Sequence, residues 1–187
     1  IDDLFSEAAR MGMPAVATTD HGYVFGAYEF WKKAKKYGVK PIIGVEAYLT
    51  PGTSRFDRTR VRWGDGGEDD VSGTGAYTHM TLLARTTEGM HNLFRMGSLA
   101  SIEGMFYKPR MDRDLLSTYG EGLIATTGCP SGEVQTKLRL GLYEAACAAA
   151  ADFRDIFGAE NFYCELRDHG LGIERRVQKD LIRLARD

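Results

Sequence analysis

The sequence predicts an α/β fold in which a mainly parallel sheet is wound as a barrel or an open sheet. Short apolar runs of strand length alternate along the chain with longer stretches whose apolar residues recur at helical spacing. Several runs turn abruptly polar where the strand would end, which is typical of parallel α/β folds because their strand ends carry the chemistry. The predicted strands lie near 15–19, 41–49, 77–84, 122–127 and 161–166.

The segments between these strands carry helical patterns with recognisable ends. Leu4, Phe5 and Ala8 recur at helical spacing, and Gly12 ends that pattern before the first strand. Gly38 and Gly158 close two later helices in the same way, since glycine is the usual residue after a helix. The predicted helices cover about 1–11, 27–37, 87–102, 112–119, 142–157 and 173–186.

Residues 51–76 follow neither the strand period nor the helix period. They are rich in glycine and contain Arg55, Arg58, Arg60 and Arg62, followed by an acidic run. A loop of this length inside a compact domain is uncommon and tends to be functional or mobile. We therefore interpret 51–76 as an insertion within one domain that spans 1–187.

Composition excludes several classes of protein. A net charge of -2 gives no general basic field, so a nucleic acid would need a local patch or another domain. No apolar run approaches the roughly 18 residues that a membrane span needs, which predicts a soluble, cytoplasmic protein without a membrane partner. The three cysteines have no CxxC spacing, which argues against a disulfide framework. The chain lacks an initiator methionine and begins inside a helical pattern, so we expect it to be part of a longer protein.

Four predicted strands each carry one good metal-binding side chain. His21, Glu46, His79 and Cys129 come from different strands, yet the strands of a barrel would bring them to one mouth. This mixture of imidazole, carboxylate and thiolate suits zinc, with manganese or iron possible where oxygen and imidazole ligands dominate. Bound metals lower the pKa of water to near 7 and can clamp the oxygens of a phosphate ester. The set therefore predicts phosphoester hydrolysis.

Each of these side chains also has an ordinary structural explanation. Either histidine could be a hydrogen-bonded residue at a strand end. Glu46 could pair with a lysine or arginine, because a carboxylate in an apolar strand is costly unless it is paired or metal-bound. Cys129 could be a small buried hydrophobe, although Pro130 and Ser131 resemble a helix start, which favours a thiolate. Asp20 is predicted to orient the site, with backbone hydrogen bonding as the alternative.

Several stretches together resemble the polymerase and histidinol phosphatase (PHP) family, in the form found at the N-terminus of bacterial replicative DNA polymerase III alpha subunits. The matching stretches are GMPAVATTDHG at 12–22, KPIIGVEAY at 40–48, HMTLLA at 79–84, EGMFYKPRMD at 103–112, EGLIATTGCPSGEVQ at 121–135 and FYCELRDHG at 162–170. The resemblance covers nearly the whole chain. The insertion rich in glycine and aspartate makes the sequence most similar to the actinobacterial form.

The resemblance implies a distorted (β/α)7 TIM-like barrel whose mouth holds up to three divalent metals. By position, His21, Glu46, His79 and Cys129 match ligand positions of that family. The family's opening strand with an HxH motif and its closing strand with an Asp-x-His pair have no counterpart here. We therefore expect a partial PHP domain, incomplete at both ends and without polymerase domains, that binds metal weakly by itself.

The resemblance also implies a metal-dependent 3′–5′ exonuclease that proofreads within a replicative polymerase. Its partners would be the 3′ end of DNA, the remainder of the alpha subunit and other replisome subunits. The first alternative is a non-catalytic metal-binding domain that braces the polymerase, and the second is a free-standing phosphatase. The EGMFYKPRMD stretch and the insertion speak against the phosphatase, whereas an exonuclease assay with and without chelator would separate the other two.

Three further side chains are predicted to contact the substrate. Lys108 and Arg110 lie in a connection near the mouth, where an arginine fork and a lysine charge would hold the DNA backbone. The alternative is a surface pair bridged to Asp112 or Asp114. His169 follows the last predicted strand, and it is expected either to touch substrate or to cap a turn.

Overall fold

The computed structural model describes residues 1–65 and 70–187, which contain eight helices and seven strands. The helices are α1 (Asp2–Arg10), α2 (Ala27–Tyr37), α3 (Ser72–Gly75), α4 (Thr87–Ile102), α5 (Arg113–Tyr119), α6 (Glu133–Arg139), α7 (Tyr143–Phe157) and α8 (Gly172–Leu184). The strands are β1 (Ala15–His21), β2 (Lys40–Leu49), β3 (Thr78–Ala84), β4 (Met105–Phe106), β5 (Lys108–Met111), β6 (Leu123–Thr126) and β7 (Phe162–Tyr163). The predicted α/β fold class is confirmed.

Strand β2 is the centre of the sheet, and its neighbours set the position of every other strand. β1 and β5 pair in parallel along one edge of β2, and β3 pairs antiparallel along the other edge. β6 pairs antiparallel with β3, β7 pairs in parallel with β6, and the short β4 pairs antiparallel with β5. Within the described part of the chain the sheet is not closed, and the mixed α/β arrangement is consistent with a TIM-like fold.

Strand β3 runs against the predicted parallel arrangement. β1, β2, β5, β6 and β7 point the same way, but β3 is antiparallel to both of its neighbours. A parallel return needs a crossover connection, usually a helix, and the described part of 50–77 holds no helix longer than the four-residue α3. The chain instead leaves β2 at Leu49 and re-enters the sheet beside it, because Thr78 is the register partner of Leu49. The prediction of mainly parallel neighbours is therefore wrong for β3.

The long helices lie where the periodicity predicts them. α4 occupies the predicted 87–102 and is capped by Thr86, whose hydroxyl accepts the N–H of Gly89 at 3.0 Å. α2 ends at Gly38, where φ is +67° and a side chain would be strained. The seven-residue α6 and the hairpin of β4 and β5 are additional to the predicted elements. Within the described ranges, no helix combines the length and the apolar character needed to cross a lipid bilayer.

Two hydrophobic clusters hold the helices in place. The larger cluster packs helices against the sheet through side chains such as Phe5, Leu82, Met96 and Leu116, all fully buried. The smaller cluster joins α6, α7 and α8 around Leu181. Each fully buried leucine or phenylalanine contributes about 1.5–3 kcal/mol relative to an exposed one. This packing fixes the strand ends from which the polar side chains project.

The insertion between β2 and β3 is anchored to the domain over its described part. The guanidinium of Arg55 binds Glu103 at 2.6 Å, Asp112 at 3.0 Å and Asp114 at 3.1 Å. The backbone N–H of Arg55 also donates to Asp112, at 2.8 Å. Residues 66–69 of the predicted insertion lie outside the described residues.

Candidate metal centre

The register of three neighbouring strands brings three of the predicted ligands together. His21 is the last residue of β1 and lies opposite Glu46 of β2, with its Nε2 3.3 Å from Oε2 of Glu46. Nδ1 of His79 on β3 is 2.7 Å from Oε1 of the same carboxylate. One possible ligand atom from each residue lies within 4.8 Å of the other two. His21, Glu46 and His79 therefore form one group at one end of the sheet.

His79 reaches this group because β3 is reversed. It is the second residue of β3, and the antiparallel register places it beside Tyr48 while Thr81 lies beside Glu46. Side chains of His79 and Thr81 share a face of the strand, so His79 is the diagonal neighbour of Glu46. In a parallel β3, its second residue would lie at the end of the sheet away from His21.

Cys129, the fourth predicted ligand, lies beside His79 but outside the three-residue group. It belongs to the loop after β6, which is joined to β3 because the N–H of His79 donates to the backbone oxygen of Ser131 at 3.1 Å. Gly132 also forms a parallel β-bridge with His79. The thiol of Cys129 lies close enough to His79 to raise the pKa of that imidazole. Cys129 therefore lies next to the group of His21, Glu46 and His79 without belonging to it.

Hydrogen bonds, not burial, set the proton affinity of the group. Burial lowers the pKa of His79, but hydrogen bonds to Cys129 and Glu46 outweigh burial and raise the pKa of His79 to about 9. The hydrogen bond with His79 lowers the pKa of Glu46, burial opposes this, and the charges of His21 and Arg167 lower the pKa further. Glu46 and His79 therefore form a pair of a carboxylate and a protonated imidazole. A divalent cation would replace that proton, because a ligating imidazole must be neutral.

The donor set fits a divalent metal ion. Two imidazole nitrogens and a carboxylate oxygen suit zinc, manganese and iron. The side chains of Glu46 and His79 are each 15% exposed, whereas that of His21 is 63% exposed, so the group is walled on one side and open on the other. Three protein ligands with an open position are typical of catalytic zinc sites, whereas structural sites are closed by four.

Asp20 serves the turn after β1. Its Oδ2 accepts the N–H of Gly26 at 3.0 Å, at the start of α2. Successive residues of a strand point to opposite faces, so Asp20 and His21 are directed to different sides of the sheet. The hydrogen bonds described for Asp20 include none to the three ligands. Asp20 therefore makes the backbone hydrogen bond that was the alternative to the predicted orienting role.

Tyr48 is the wall between the candidate metal centre and the hairpin of β4 and β5. Its ring meets the ring of His79 edge-on, with centroids 5.1 Å apart. Gly22 passes so close that a Cβ there would lie 2.8 Å from the ring of Tyr48. On the hairpin side, the exposed Lys108 places its Nζ 5.5 Å from the centre of the Tyr48 ring. Lys108 therefore lies near the mouth, and its contact with DNA stays a prediction.

Arg110 is a structural residue, and the prediction that it contacts DNA is wrong. It is 0% exposed, and its guanidinium donates to four backbone oxygens at 2.8–3.2 Å, which leaves no surface for a phosphate. The alternative pairing with Asp112 or Asp114 is also wrong, because those carboxylates bind Arg55. The acceptors of Arg110 are the backbone oxygens of Gly104, Ala76, Arg55 and Asp57.

His169 closes the turn before α8. Its N–H donates to Oε2 of Glu174 at 2.8 Å, and its Nδ1 lies 2.7 Å from Oε1 of the same carboxylate. Glu174 is in the first turn of α8, so this arrangement resembles a capping box. The ring is 67% exposed and is not part of the three-residue group. His169 therefore caps the turn, and its contact with substrate stays a prediction.

Arg167 is a charged residue near the candidate metal centre that sequence reasoning missed. Its Nε donates to Oε1 of Glu165 at 2.7 Å, and the N–H of Glu165 donates to the hydroxyl of Thr127, directly after β6. Burial lowers the pKa of Arg167, but the hydrogen bond to Glu165 and the charges of Cys129 and Glu46 raise it. The only signal in the sequence was its place in a charged run directly after a predicted strand.

Comparison with known proteins shows the family to which the chain is similar. A family model described as "PHP domain" matches residues 1–169. The DNA polymerase III subunit alpha of Saccharopolyspora erythraea is 58% identical over 193 residues, covering 98% of this chain and 16% of that protein. The Mycobacterium tuberculosis protein of the same description is 54% identical over 189 residues, covering 100% of this chain and 16% of that protein. The Thermus aquaticus one is 43% identical over 173 residues, covering 92% and 13%.

The chain thus spans about one sixth of the length of the curated relatives it matches. The two actinobacterial relatives are more similar to it than the Thermus aquaticus protein, as the insertion predicted. The family model covers most of the chain, including the strands that carry His21, Glu46 and His79. The chain belongs to the PHP domain family.

Proposed function

We propose that the chain is the PHP domain of a bacterial replicative DNA polymerase III alpha subunit and that it removes nucleotides from the 3′ end of DNA. The single observation that carries the catalytic part is the group of His21, Glu46 and His79, which is open to solvent on one side. Similarity to proteins described as DNA polymerase III subunit alpha supports DNA as the substrate. The reaction would be metal-dependent 3′–5′ exonuclease hydrolysis, as proofreading requires.

The residues of the chain have separate tasks in this reaction. Glu46 bridges the two histidines and would hold the metal with them, and Cys129 would join from the neighbouring loop. When bound, divalent ions polarise the phosphate and lower the pKa of an attacking water. Lys108 is the nearby exposed cation that would neutralise a phosphate of the incoming strand. Zinc is the expected ion, with manganese or iron as alternatives and up to three ions in a complete domain.

One feature favours a second function, in which a bound metal only stabilises the fold. The ligands come from β1, β2 and β3, and Cys129 follows β6, so a metal would cross-link four parts of the sheet. Metal binding that requires the folded arrangement adds its free energy to folding. In this case the domain would brace the rest of the alpha subunit without cutting DNA.

The proposal also specifies the setting of the domain. Its partners would be the 3′ end of DNA, the remainder of the alpha subunit and the other replisome subunits. It would work in the cytoplasm, where bacterial chromosomes are copied.

The two functions are separated by an exonuclease assay on the complete protein that contains this chain. Wild-type protein should shorten a 3′-labelled strand, chelator should stop the reaction, and zinc or manganese should restore it. His79→Ala should abolish cleavage, whereas His91→Ala, at an exposed position of α4, should leave it unchanged. Wild-type protein that keeps its metal but never shortens DNA would overturn the exonuclease and support the bracing function.

A further inference from the structure

We infer that the first part of the insertion and the turn between β4 and β5 form a track for single-stranded DNA that leads to the candidate metal centre. This inference rests on the proposed function for its choice of substrate. The track consists of four exposed cations and two exposed aromatic rings, which we call the basic strip. Its members are Phe56, Arg58, Arg60, Arg62, Tyr107 and Lys108.

The cations of the basic strip are exposed and have no carboxylate partner within residues 1–65 and 70–187. Arg58, Arg60 and Arg62 alternate with Thr59 and the half-buried Val61, and none of the three forms a salt bridge in that part of the chain. Arg55, in the same segment, differs because it binds three carboxylates. Exposed cations of this kind are available for phosphates, and each one used releases counterions.

The backbone beside these cations is fixed in advance. The buried guanidinium of Arg110 donates to the backbone oxygens of Arg55 at 3.2 Å and Asp57 at 2.8 Å, immediately before Arg58. Val61 donates its N–H to the backbone oxygen of Gly75 at 2.9 Å. A surface held in this way loses less conformational entropy when it binds than a free loop does.

Tyr107 joins the insertion to the hairpin and offers a stacking surface. Nη2 of Arg60 donates to the hydroxyl of Tyr107, and the guanidinium lies 5.2 Å from the ring centre. The ring is 62% exposed even so, and Phe56 is similarly exposed. The φ of Tyr107 is +63°, a conformation that costs energy for a tyrosine and that the surrounding hairpin must hold. Exposed rings among exposed cations are typical of surfaces that bind unpaired bases.

The strip is continuous with the candidate metal centre. Lys108 follows Tyr107 directly, its Nζ lies 5.5 Å from the ring of Tyr48, and that ring meets His79. A strand whose phosphates lie on the arginines and whose bases stack on Tyr107 would thus be led past Lys108 to the ligands. Single-stranded DNA fits better than duplex DNA because stacking on a protein ring needs a base that is not enclosed in a helix.

Salt dependence of binding tests the cations. The triple variant Arg58→Ala, Arg60→Ala, Arg62→Ala should be compared with wild type in the complete protein, using an oligothymidylate in the presence of chelator. Each lost contact with a single-stranded phosphate should reduce the slope of log affinity against log salt by about 0.7, so we expect the slope to fall by about 2.

The matched control is the triple variant Arg175→Ala, Lys179→Ala, Arg186→Ala, at exposed positions of α8 and just beyond it. Its slope should equal that of wild type. An unchanged slope in the first triple variant would overturn the inference.

A second pair of variants tests the ring. Tyr107→Asn removes it while keeping a residue that tolerates positive φ, and affinity should fall about tenfold. Tyr107→Phe keeps the ring and should bind as wild type does. If both variants bind the oligonucleotide equally well, the ring of Tyr107 is not part of the track.

The outcomes distinguish this inference from the proposed function. If the slope falls as expected but wild-type protein never cleaves DNA, the track stands and the exonuclease fails. If cleavage occurs and the slope does not change, the exonuclease stands and the track fails.

Discussion

Two regions of the molecule contain the same pair of groups in nearly the same geometry. Nδ1 of His79 lies 2.7 Å from a carboxylate oxygen of Glu46, and Nδ1 of His169 lies 2.7 Å from a carboxylate oxygen of Glu174. At the strand ends a second histidine joins the first pair and Cys129 lies nearby, whereas at the start of α8 no third histidine, cysteine or carboxylate of the described residues joins the second pair. A carboxylate partner alone therefore does not indicate a metal ligand. Convergence of further donors is what makes the group at the strand ends a candidate metal centre.

The largest expected effect separates the two histidines by metal content. His79→Ala should leave the complete protein with substantially less metal, because one of three converging donors is lost. His169→Ala should retain the metal of wild type, because its ring lies outside the group. Elemental analysis after gel filtration measures both, and equal losses in the two variants would break the comparison.

The next effect is a pH dependence that belongs to His79. In chelator-treated protein the pKa of His79 is about 9, above the ordinary value of 6.5. Protonated His79 therefore contributes its full stabilisation to the fold below pH 6.5. That stability is lost as the pH rises through about 9, and a difference of this size corresponds to roughly 3 kcal/mol. Urea unfolding at pH 6 and at pH 9.5 should show the loss in wild type and in His169→Gln. His79→Gln should lack it, and a wild-type stability that is equal at both pH values would contradict the assignment.

Cys129 sharpens the comparison because it is the donor that the second pair lacks. Cys129→Ser should weaken metal binding about 10- to 100-fold, the usual effect of removing a group that orients a ligand. Competition with a chromophoric chelator measures the affinity. Cys164→Ser is the matched control and should bind as wild type does. A Cys129→Ser protein with unchanged affinity would confine the site to His21, Glu46 and His79.

The smallest expected effect concerns the pair at α8. The hydrogen bond with His169 lowers the pKa of Glu174, so this pair stabilises the fold above the ordinary glutamate pKa and loses that effect as the pH falls. Glu174→Gln should lower the Tm by a few degrees at pH 7, by less at pH 4, and should not change metal content. Thermal unfolding at both pH values measures this, and a loss of metal would mean that the two regions are coupled.

The sequence predicted the convergence of His21, Glu46 and His79 because strand ends are readable from apolar runs that turn polar. For His79 this reasoning was incomplete, because His79 lies at the beginning of its strand and not at its end. The reversal of β3 depends on how 50–77 return to the sheet, and no local pattern records that path. The hairpin of β4 and β5 was missed for a similar reason, since strands of two and four residues have too few positions to show alternation.

Arg110 shows why the role of a single charged residue could not be predicted. Arginine is rarely buried, and at the sequence level a surface role was the reasonable expectation. Its acceptors are backbone oxygens, which leave no trace in side-chain identity, and two of them belong to residues more than 50 positions earlier. Arg167 was missed because its neighbours Cys129 and Glu46 lie far from it in the sequence, in the loop after β6 and on β2.

The pairing of Leu49 with Thr78 has a consequence for variation in chain length. Everything between these residues leaves and re-enters the sheet at one rung of the ladder, so the offset between Glu46 and His79 does not depend on how many residues intervene. Doubling the length of a flexible loop costs only about 0.6 kcal/mol in closure entropy. Residues could therefore be added between Leu49 and Thr78, by evolution or by engineering, without moving Glu46 relative to His79. Deletions that reach Arg55 or Asp57 are different, because they would take away carbonyl groups that the buried Arg110 needs.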